Sequence, residues 1–440
     1  MGSHARWALV AALAGFLFGF DTAVISGAEQ AVQRVWNLSD AMHGLAISAA
    51  LWGTVVGALL GGWPSDRFGR KPTLIAIGVL YAVSAIGSAL AWDPTSFILF
   101  RLIGGLGVGA SSVAAPAYIA EIAPKAQRGR LVALFQTMIV TGILVAFATN
   151  WLIGGTGSDD WRWMLGAEVV PALAYLAATF AIPESPRWLL LHSGREAEAR
   201  SILARVNPAA VDETVAAIEA EARAEARSIT WGQFLSKHYR RPALLAFLIA
   251  FFNQLSGINA IIYYAPRIFE MSGAGSSTAL LATVGIGVVN LVFTLTGLML
   301  IDRTGRKFLM YLGSFGYIVS LGMTAYGFAV GQFALVLPFI FAFIAVHAIG
   351  QGAVIWVYIS EIFPSAARAK GQSLGAGTHW VFAALLTLVM PVVLAKVSPV
   401  AIFAFFAAMM VLQLVWVRFA MVETRGRSLE NISADLLKSI

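Results

Sequence analysis

Runs of about twenty apolar residues recur along this 440-residue chain, and no other feature limits its fold so strongly. A helix rises 1.5 Å per residue, so about twenty residues cross the roughly 30 Å hydrocarbon layer of a bilayer. Spanning helices are expected near residues 6–28, 43–64, 72–92, 96–121, 129–153 and 161–182, and again near 242–271, 277–301, 306–330, 334–361, 368–394 and 397–420. A spanning barrel would instead need alternating strands of about ten residues, and that pattern does not occur. Composition agrees: 59% of residues are hydrophobic and only 12% charged, about half the charged share of a soluble protein. The first run, Trp7 to Ala28, has no clear cleavage site and reads as a spanning helix rather than a removable leader.

The same composition excludes several functions. With no cysteine there is no disulfide, thiol nucleophile or cysteine-ligated metal. The six histidines form no HxxxH or HExxH pair, so neither metal nor cofactor is expected. No nucleophile–base set appears, which argues against an enzyme. The net charge of +7 would suggest nucleic acid in a soluble protein. Here, with the N-terminus inside, 25 of the 30 Lys and Arg fall in or beside cytoplasmic loops and tails. The positive-inside rule explains the basic balance, and no nucleic-acid partner is needed. Both termini are then cytoplasmic, in a multi-pass protein of the cell (plasma or inner) membrane, with the lipid bilayer as its surroundings and a monomer as the expected state.

One segment breaks the apolar pattern. Residues 184–241 are rich in Ala, Glu and Arg, with i,i+4 charge pairs that favour short amphipathic helices. The expected domains are a six-helix bundle over 1–183, a cytoplasmic helical linker over 184–241, a second six-helix bundle over 242–421 and a cytoplasmic tail over 422–440. The two bundles repeat each other. "SDRFGRK" at Ser65–Lys71 returns as "IDRTGRK" at Ile301–Lys307, "EIAPKAQR" at Glu121–Arg128 as "EIFPSAAR" at Glu361–Arg368, and "PES" at Pro183–Ser185 as "VET" at Val422–Thr424. The offsets are 236, 240 and 239 residues, close enough to indicate a duplicated unit with both copies in the same orientation.

The repeated motifs carry readable chemistry. Asp66 and Asp302 are candidates to accept from free amides at helix N-termini. Arg67, Arg70, Arg128, Arg303, Arg306 and Arg368 are candidates for bidentate pairing with Glu121, Glu184, Glu361 and Glu423. Such a network closes the cytoplasmic side in one state and opens in another; the plainer alternative is that these charges only anchor loops.

The motifs also carry a resemblance. "GFLFGFDTAVISGA", "GGWPSDRFGRK", "RLIGGLGVG…PAYIAEIAPKAQRGRL", "PESPRWLL", "NQLSGINAIIYYAP", "IDRTGRK", "WVYISEIFPSAARAKGQSL" and "VETRGRSLENI" follow one another along nearly the whole chain. Together they resemble the sugar porter family of the major facilitator superfamily, and in particular its bacterial proton-coupled xylose and glucose carriers. The resemblance implies an all-α membrane protein of twelve transmembrane helices in two six-helix repeats, with short cytoplasmic helices between them.

Ionisable residues inside a membrane are costly, roughly 2.5–3.5 kcal/mol each on insertion scales. Asp21, Arg101 and Glu168 lie at similar estimated depth, five to seven residues from the outer ends of their expected helices. An Asp–Arg pair offsets the burial of both, and a proton on Asp21 weakens it. Proton symporters that the chain resembles have Asp and Arg at these two places, whereas mammalian facilitative carriers have Asn at the Asp position. Proton coupling is the reading this favours, and a static ion pair is the alternative.

A sugar presents hydroxyls that both donate and accept, which side-chain amides match, while aromatic faces cover its ring. Buried amides also serve as helix-packing glue. The resemblance assigns sugar contact to Gln136, Gln254, Asn259, Asn290 and Trp356, with Phe18, Tyr263 and Trp380 at nearby aromatic positions, and so places the sugar between the halves. Asn253, a further candidate sugar contact, stands where the family usually has the first Gln of a pair, which shortens that contact. His379 stands where Asn or Gln is common, and is either a donor to a sugar hydroxyl or a packed neutral side chain. Gly352–Ala353 stands where Gly-Pro is frequent. The expected function is monosaccharide:proton symport, importing a hexose or pentose of glucose or xylose type by alternating access. The alternatives are a sugar or polyol uniporter and a non-transporting sugar sensor.

Overall fold

The computed structural model describes residues 2–225 and 229–437. Met1, residues 226–228 of the expected linker and residues 438–440 of the expected tail lie outside the described residues. Helices account for nearly all of the described chain, and no strand occurs among the described residues.

Eight helices lead to the linker: α1 (Ser3–Val35), α2 (Asp40–Leu60), α3 (Gly62–Phe68), α4 (Arg70–Ala89), α5 (Pro94–Ile122), α6 (Arg128–Ile153), α7 (Asp160–Gly166) and α8 (Val169–Thr179). The linker holds α9 (Pro186–Trp188), α10 (Glu196–Val206), α11 (Val211–Glu225) and α12 (Trp231–Phe234). Then follow α13 (Arg240–Leu255), α14 (Ile258–Met271), α15 (Ser276–Thr304), α16 (Arg306–Ala329), α17 (Phe333–Ile349), α18 (Gln351–Glu361), α19 (Ser365–Lys396), α20 (Pro399–Phe419) and α21 (Leu429–Leu437). Among the described residues, 11 helical segments are long and apolar enough to cross a membrane, with α13–α14 and α17–α18 each counting as one. The short pair α7–α8 occupies the remaining expected span and completes twelve.

Local sequence explains where several helices begin. Asp93 accepts from the Ser96 amide at 2.7 Å and the Ser96 hydroxyl closes the reciprocal bond, with Pro94 in the first turn, so α5 starts there. Ser398 caps α20 with a single bond, its hydroxyl accepting from the Ala401 amide at 3.3 Å, ahead of Pro399.

Three expected single helices are interrupted. Gly257 takes φ 86° and separates α13 from α14. Gly350, at φ −84° and ψ −100°, separates α17 from α18. Ala167 and Glu168 keep helical angles between α7 and α8, but the Glu168 amide bonds to the carbonyl three residues back, at Leu165, tightening that turn. The first helix is longer than expected and runs to Val35 rather than ending near Ala28.

Contacts divide the chain into two compact units. One comprises Met1–Ala28 with Ala49–Arg227, the other Glu29–Ser48 with Ser228–Ile440. The end of α1 and the start of α2 therefore belong with the second unit, and α10 and α11 with the first. In the first unit small residues let helices touch backbone to backbone: a Cβ on Gly105 of α5 would fall 1.9 Å from the Ala50 carbonyl oxygen of α2.

Candidate functional site

In the first unit the three expected intramembrane ions meet. Arg101 of α5 donates from Nη1 to Asp21 Oδ1 of α1, and from Nη2 to the Asp21 carbonyl oxygen at 3.2 Å. Glu168, at the α7–α8 junction, sets its carboxyl beside Asp21 and near Arg101. All three are almost fully buried, at 1–2% exposure. Because α1 continues to Val35, Asp21 lies about twice as far from the end of its helix as expected; its partners, not the count of residues, fix its place. With both carboxyls ionised beside one guanidinium the group would carry one negative charge in excess, which a single bound proton neutralises.

Also in the first unit, Phe18 lies buried one turn before Asp21 on α1, and Gln136 lies half-buried on α6. These two helices are in close contact: a Cβ on Gly19 would fall 1.9 Å from the Ile139 carbonyl oxygen.

In the second unit the expected amides form a connected cluster. Asn259 of α14 donates from Nδ2 to Gln254 Oε1 at 2.7 Å. Gln254 donates from Nε2 to Asn253 Oδ1 at 2.9 Å and lies 3.1 Å from His379 Nδ1 of α19. The His379 ring packs against Trp356 of α18, with centroids 5.0 Å apart, and edge-on against Trp380 at 4.7 Å. Asn253, expected to reach a sugar, spends its amide inside the bundle, since its Nδ2 donates to Gln351 Oε1 at 3.1 Å. Asn290 of α15 stands apart from this cluster and accepts from Thr294 Oγ1 at 3.3 Å. Tyr263 is buried on α14.

The repeated motifs build the same construction twice. Arg70 grips Glu121 through Nε at 3.0 Å and Nη2 at 2.9 Å; Arg306 grips Glu361 through the same atoms at 3.1 and 2.8 Å. Arg70 also reaches Asp66 at 2.9 Å, and Arg306 reaches Asp302 at 3.2 Å. The expectation that Asp66 and Asp302 cap helix N-termini is corrected. Glu184 accepts from the Arg70 and Lys71 amides at 2.9 and 3.2 Å, and Glu423 from the Arg306 and Lys307 amides at 3.0 and 2.9 Å. The reason is the preceding glycine. Gly69 and Gly305 take φ 109° and 96°, and a Cβ there would lie 2.3 Å from Glu184 Oε2 or 2.7 Å from Glu423 Oε2. The turn thus aims the free amides at a glutamate more than a hundred residues away.

Glu184 and Glu423 serve the repeated role with opposite proton affinity. Burial pushes the Glu184 carboxyl above its ordinary value, over the opposing pull of the Ser185, Lys71 and Arg70 amides. Burial pushes Glu423 the same way, but four amides, from Arg425, Lys307, Arg306 and Thr424, outweigh it and bring it below. Arg67, Arg128 and Arg303 are exposed and outside these pairs, and Arg368 donates to the Ser360 and Phe363 carbonyls rather than to a glutamate.

Two groups escaped the sequence reading. In the second unit Arg267 of α14 pairs with the fully buried Glu29 near the end of α1, with His43 Nε2 3.1 Å from the same carboxylate and Gln33 Oε1 accepting from Arg267 Nη2 at 2.7 Å. Next to it, Gln30 Nε2 donates to Glu270 Oε2 at 2.8 Å. Charged residues after Ala28 looked like a loop. The available signal was the opposite charges of Glu29 and Arg267, 238 residues apart, close to the repeat offset. The other group is Gln351 and Gln413, amides inside apolar runs, which polarity alone would have flagged.

Twelve spans in two six-helix halves, with repeated arginine–glutamate motifs and buried polar clusters, define a multi-pass membrane transporter. The profile of the "Sugar (and other) transporter" family matches residues 7–436, and the chain belongs to that family. Family members are transporters rather than enzymes. The arabinose-proton symporter of Bacillus subtilis is 36% identical, with 97% of this chain and 94% of that one covered. The D-xylose-proton symporter of Escherichia coli is 34% identical over the same shares. Among solved structures, the inward open conformation of the xylose transporter XylE from E. coli matches with a TM-score of 0.86 at 30% identity, covering 97% of this chain and 98% of that one. The proton:xylose symporter XylE bound to 6-bromo-6-deoxy-D-glucose, described as a major facilitator superfamily protein, matches at 0.79. The fold is that of the major facilitators.

Proposed function

We propose that this chain is a proton-coupled monosaccharide importer that carries a pentose or hexose of xylose, arabinose or glucose type by alternating access. The observation that carries the reading is the buried triad of Asp21, Arg101 and Glu168. Nothing in packing calls for two carboxyls beside one arginine in a membrane interior, whereas a proton site does. The names of the relatives, two of them proton symporters of pentoses, support the same reading.

In this reading a proton enters at Asp21 and Glu168. Its charge weakens the hold of Arg101 on Asp21 and frees α1 to shift on α5. Phe18 rides on α1 and Gln136 on α6, which α1 touches at Gly19, so protonation and sugar contact share one pair of helices. Gln254, Asn259 and Asn290 offer donors and acceptors to sugar hydroxyls, with Trp356, Tyr263, His379 and Trp380 against the ring and Asn253 supporting Gln254. The motifs of Arg70, Glu121 and Glu184, and of Arg306, Glu361 and Glu423, hold the cytoplasmic ends in one state. We place both termini in the cytoplasm and take the monomer as the working unit.

Uptake into proteoliposomes tests the reading. Labelled D-xylose, L-arabinose and D-glucose are offered with and without an inward proton gradient. At least one sugar is expected to accumulate above equilibrium with the gradient and to leak back when a protonophore is added. Equal steady states with and without the gradient would make the protein a uniporter.

A further inference from the structure

The amide cluster of the second unit does not end at Asn253. Asn253 Nδ2 donates to Gln351 Oε1, Gln351 Nε2 donates to Gln413 Oε1, and Gln413 Nε2 donates to Ser314 Oγ at 2.7 Å. With the bonds already described, six side chains form one line: Asn259 to Gln254 to Asn253 to Gln351 to Gln413 to Ser314. Every bond in it points the same way, from amide nitrogen to the next oxygen. The line joins α14, α13, α18, α20 and α16. Gln254, Gln351, Gln413 and Ser314 are fully buried, and Asn253 and Asn259 nearly so.

A carboxamide is close to symmetric in shape but not in chemistry. Turned over, it offers a donor where it offered an acceptor. In water the two orientations are equivalent. In a buried line, turning one amide sets nitrogen against nitrogen or oxygen against oxygen and leaves buried groups unpaired. The orientation of each member is therefore tied to that of the next, and the line ends at Ser314, whose hydroxyl accepts from Gln413. At the near end, Gln254 presents Oε1 to Asn259 and Nε2 toward Asn253 and His379. Asn259, having given Nδ2 to Gln254, keeps Oδ1 outside the line.

We propose that Gln351 and Gln413 are positioning residues for sugar recognition: they fix which way the amides of Gln254 and Asn259 face, and hence which sugar hydroxyls meet an acceptor and which a donor. This rests on the reading of Gln254 and Asn259 as sugar-contacting residues. Helix-packing glue is the competing role, and it makes a different demand. Glue is indifferent to the identity of the sugar, whereas an orientation device is not.

The test uses the full chain in proteoliposomes. Gln413→Met keeps the volume but removes both the acceptor for Gln351 and the donor to Ser314. Gln413→Glu retains an oxygen for Gln351, and the Ser314 hydroxyl is able to turn and donate to it. Ser314→Ala is the milder second variant, which removes only the acceptor of the last bond, from Gln413 Nε2. In Gln413→Met the KM for the transported sugar is expected to rise about tenfold with the maximal rate nearly kept, equivalent to losing one buried hydrogen bond. The KM ratio between that sugar and its single-deoxy analogues is expected to change with it. Gln413→Glu is expected to restore most of both, and Ser314→Ala to shift the ratio in the same direction as Gln413→Met. Gln254→Ala separates the two levels of the argument. If it leaves KM unchanged, the sugar-site reading fails. If it raises KM while Gln413→Met and Ser314→Ala leave the deoxy-sugar ratios unchanged, the orientation device alone fails. Should Gln413→Met not fold, Ser314→Ala decides by the same ratio.

Discussion

Arg267 clasps Glu29 through two nitrogens, Nε at 3.0 Å and Nη2 at 2.9 Å, and so ties the end of α1 to α14 across 238 residues of sequence. The carboxylate is wholly buried, while the arginine is partly exposed. Removing the arginine strands a buried charge, which costs about 3–5 kcal/mol where such pairs have been broken. Arg267→Met is therefore expected to lower the melting temperature of the purified protein sharply. The double variant Glu29→Gln with Arg267→Met leaves no stranded charge and is expected to recover most of the loss. Equal melting of the single and double variants would show that the pair carries no such penalty.

Asp21→Asn keeps the shape of the triad and removes the charge that holds Arg101. Sugar accumulation driven by a proton gradient is expected to disappear, while counterflow exchange of labelled for unlabelled sugar continues. Accumulation that survives the substitution would remove Asp21 from the proton path.

Gly69 sits in a backbone region that side chains rarely adopt, and its missing Cβ is where Glu184 Oε2 lies. Gly69→Ala is expected to destabilise the protein by about 1–3 kcal/mol from backbone strain, with displacement of the carboxylate in addition. Gly426 also has positive φ, at 70°, but nothing lies within 4 Å of its virtual Cβ. Gly426→Ala is expected to cost clearly less. Thermal unfolding of the two variants side by side makes the comparison.

The two repeated glutamates are expected to respond to pH in opposite senses. Glu184 binds its proton more tightly in the folded protein, so its share of stability is full below the unfolded value and is lost as pH rises through the raised one. Glu423 binds its proton less tightly, so its share is present above the unfolded value and is lost as pH falls through the lowered one. Melting temperature measured from the acid range to neutrality is expected to show a decline on each side. Glu184→Gln should flatten the higher-pH decline and Glu423→Gln the lower-pH one. The reverse assignment would contradict the opposed affinities.

Much of this was legible in the chain. Asp21 and Arg101 were legible as a pair because an intramembrane charge needs an opposite one and few are available. The Arg70–Glu121 and Arg306–Glu361 grips were legible because the motifs recur together at a nearly constant offset. The capping was misread: Asp66 and Asp302 stand next to the helix starts, yet Gly69 and Gly305 turn the amides toward Glu184 and Glu423 instead. Asn253 was read as a sugar contact, and the structure adds that its Oδ1 accepts from Gln254 and its Nδ2 donates to Gln351, bonds no sequence pattern announces.

The sequence by itself determined the twelve spans, their duplication and the residue types at the buried sites. Each of those follows from the transfer free energy of individual side chains into lipid, or from a motif compared with its own copy, and needs no knowledge of neighbours. Only the tertiary structure decided that α1 runs on to Val35, that helices break at Gly257 and Gly350, and that the amides from Asn259 to Ser314 point one way. Those outcomes depend on partners scores to hundreds of residues distant, such as Arg267 for Glu29 and Gln413 for Gln351. Whether a polar group can stay in the membrane interior depends on which partner the folded chain brings to it.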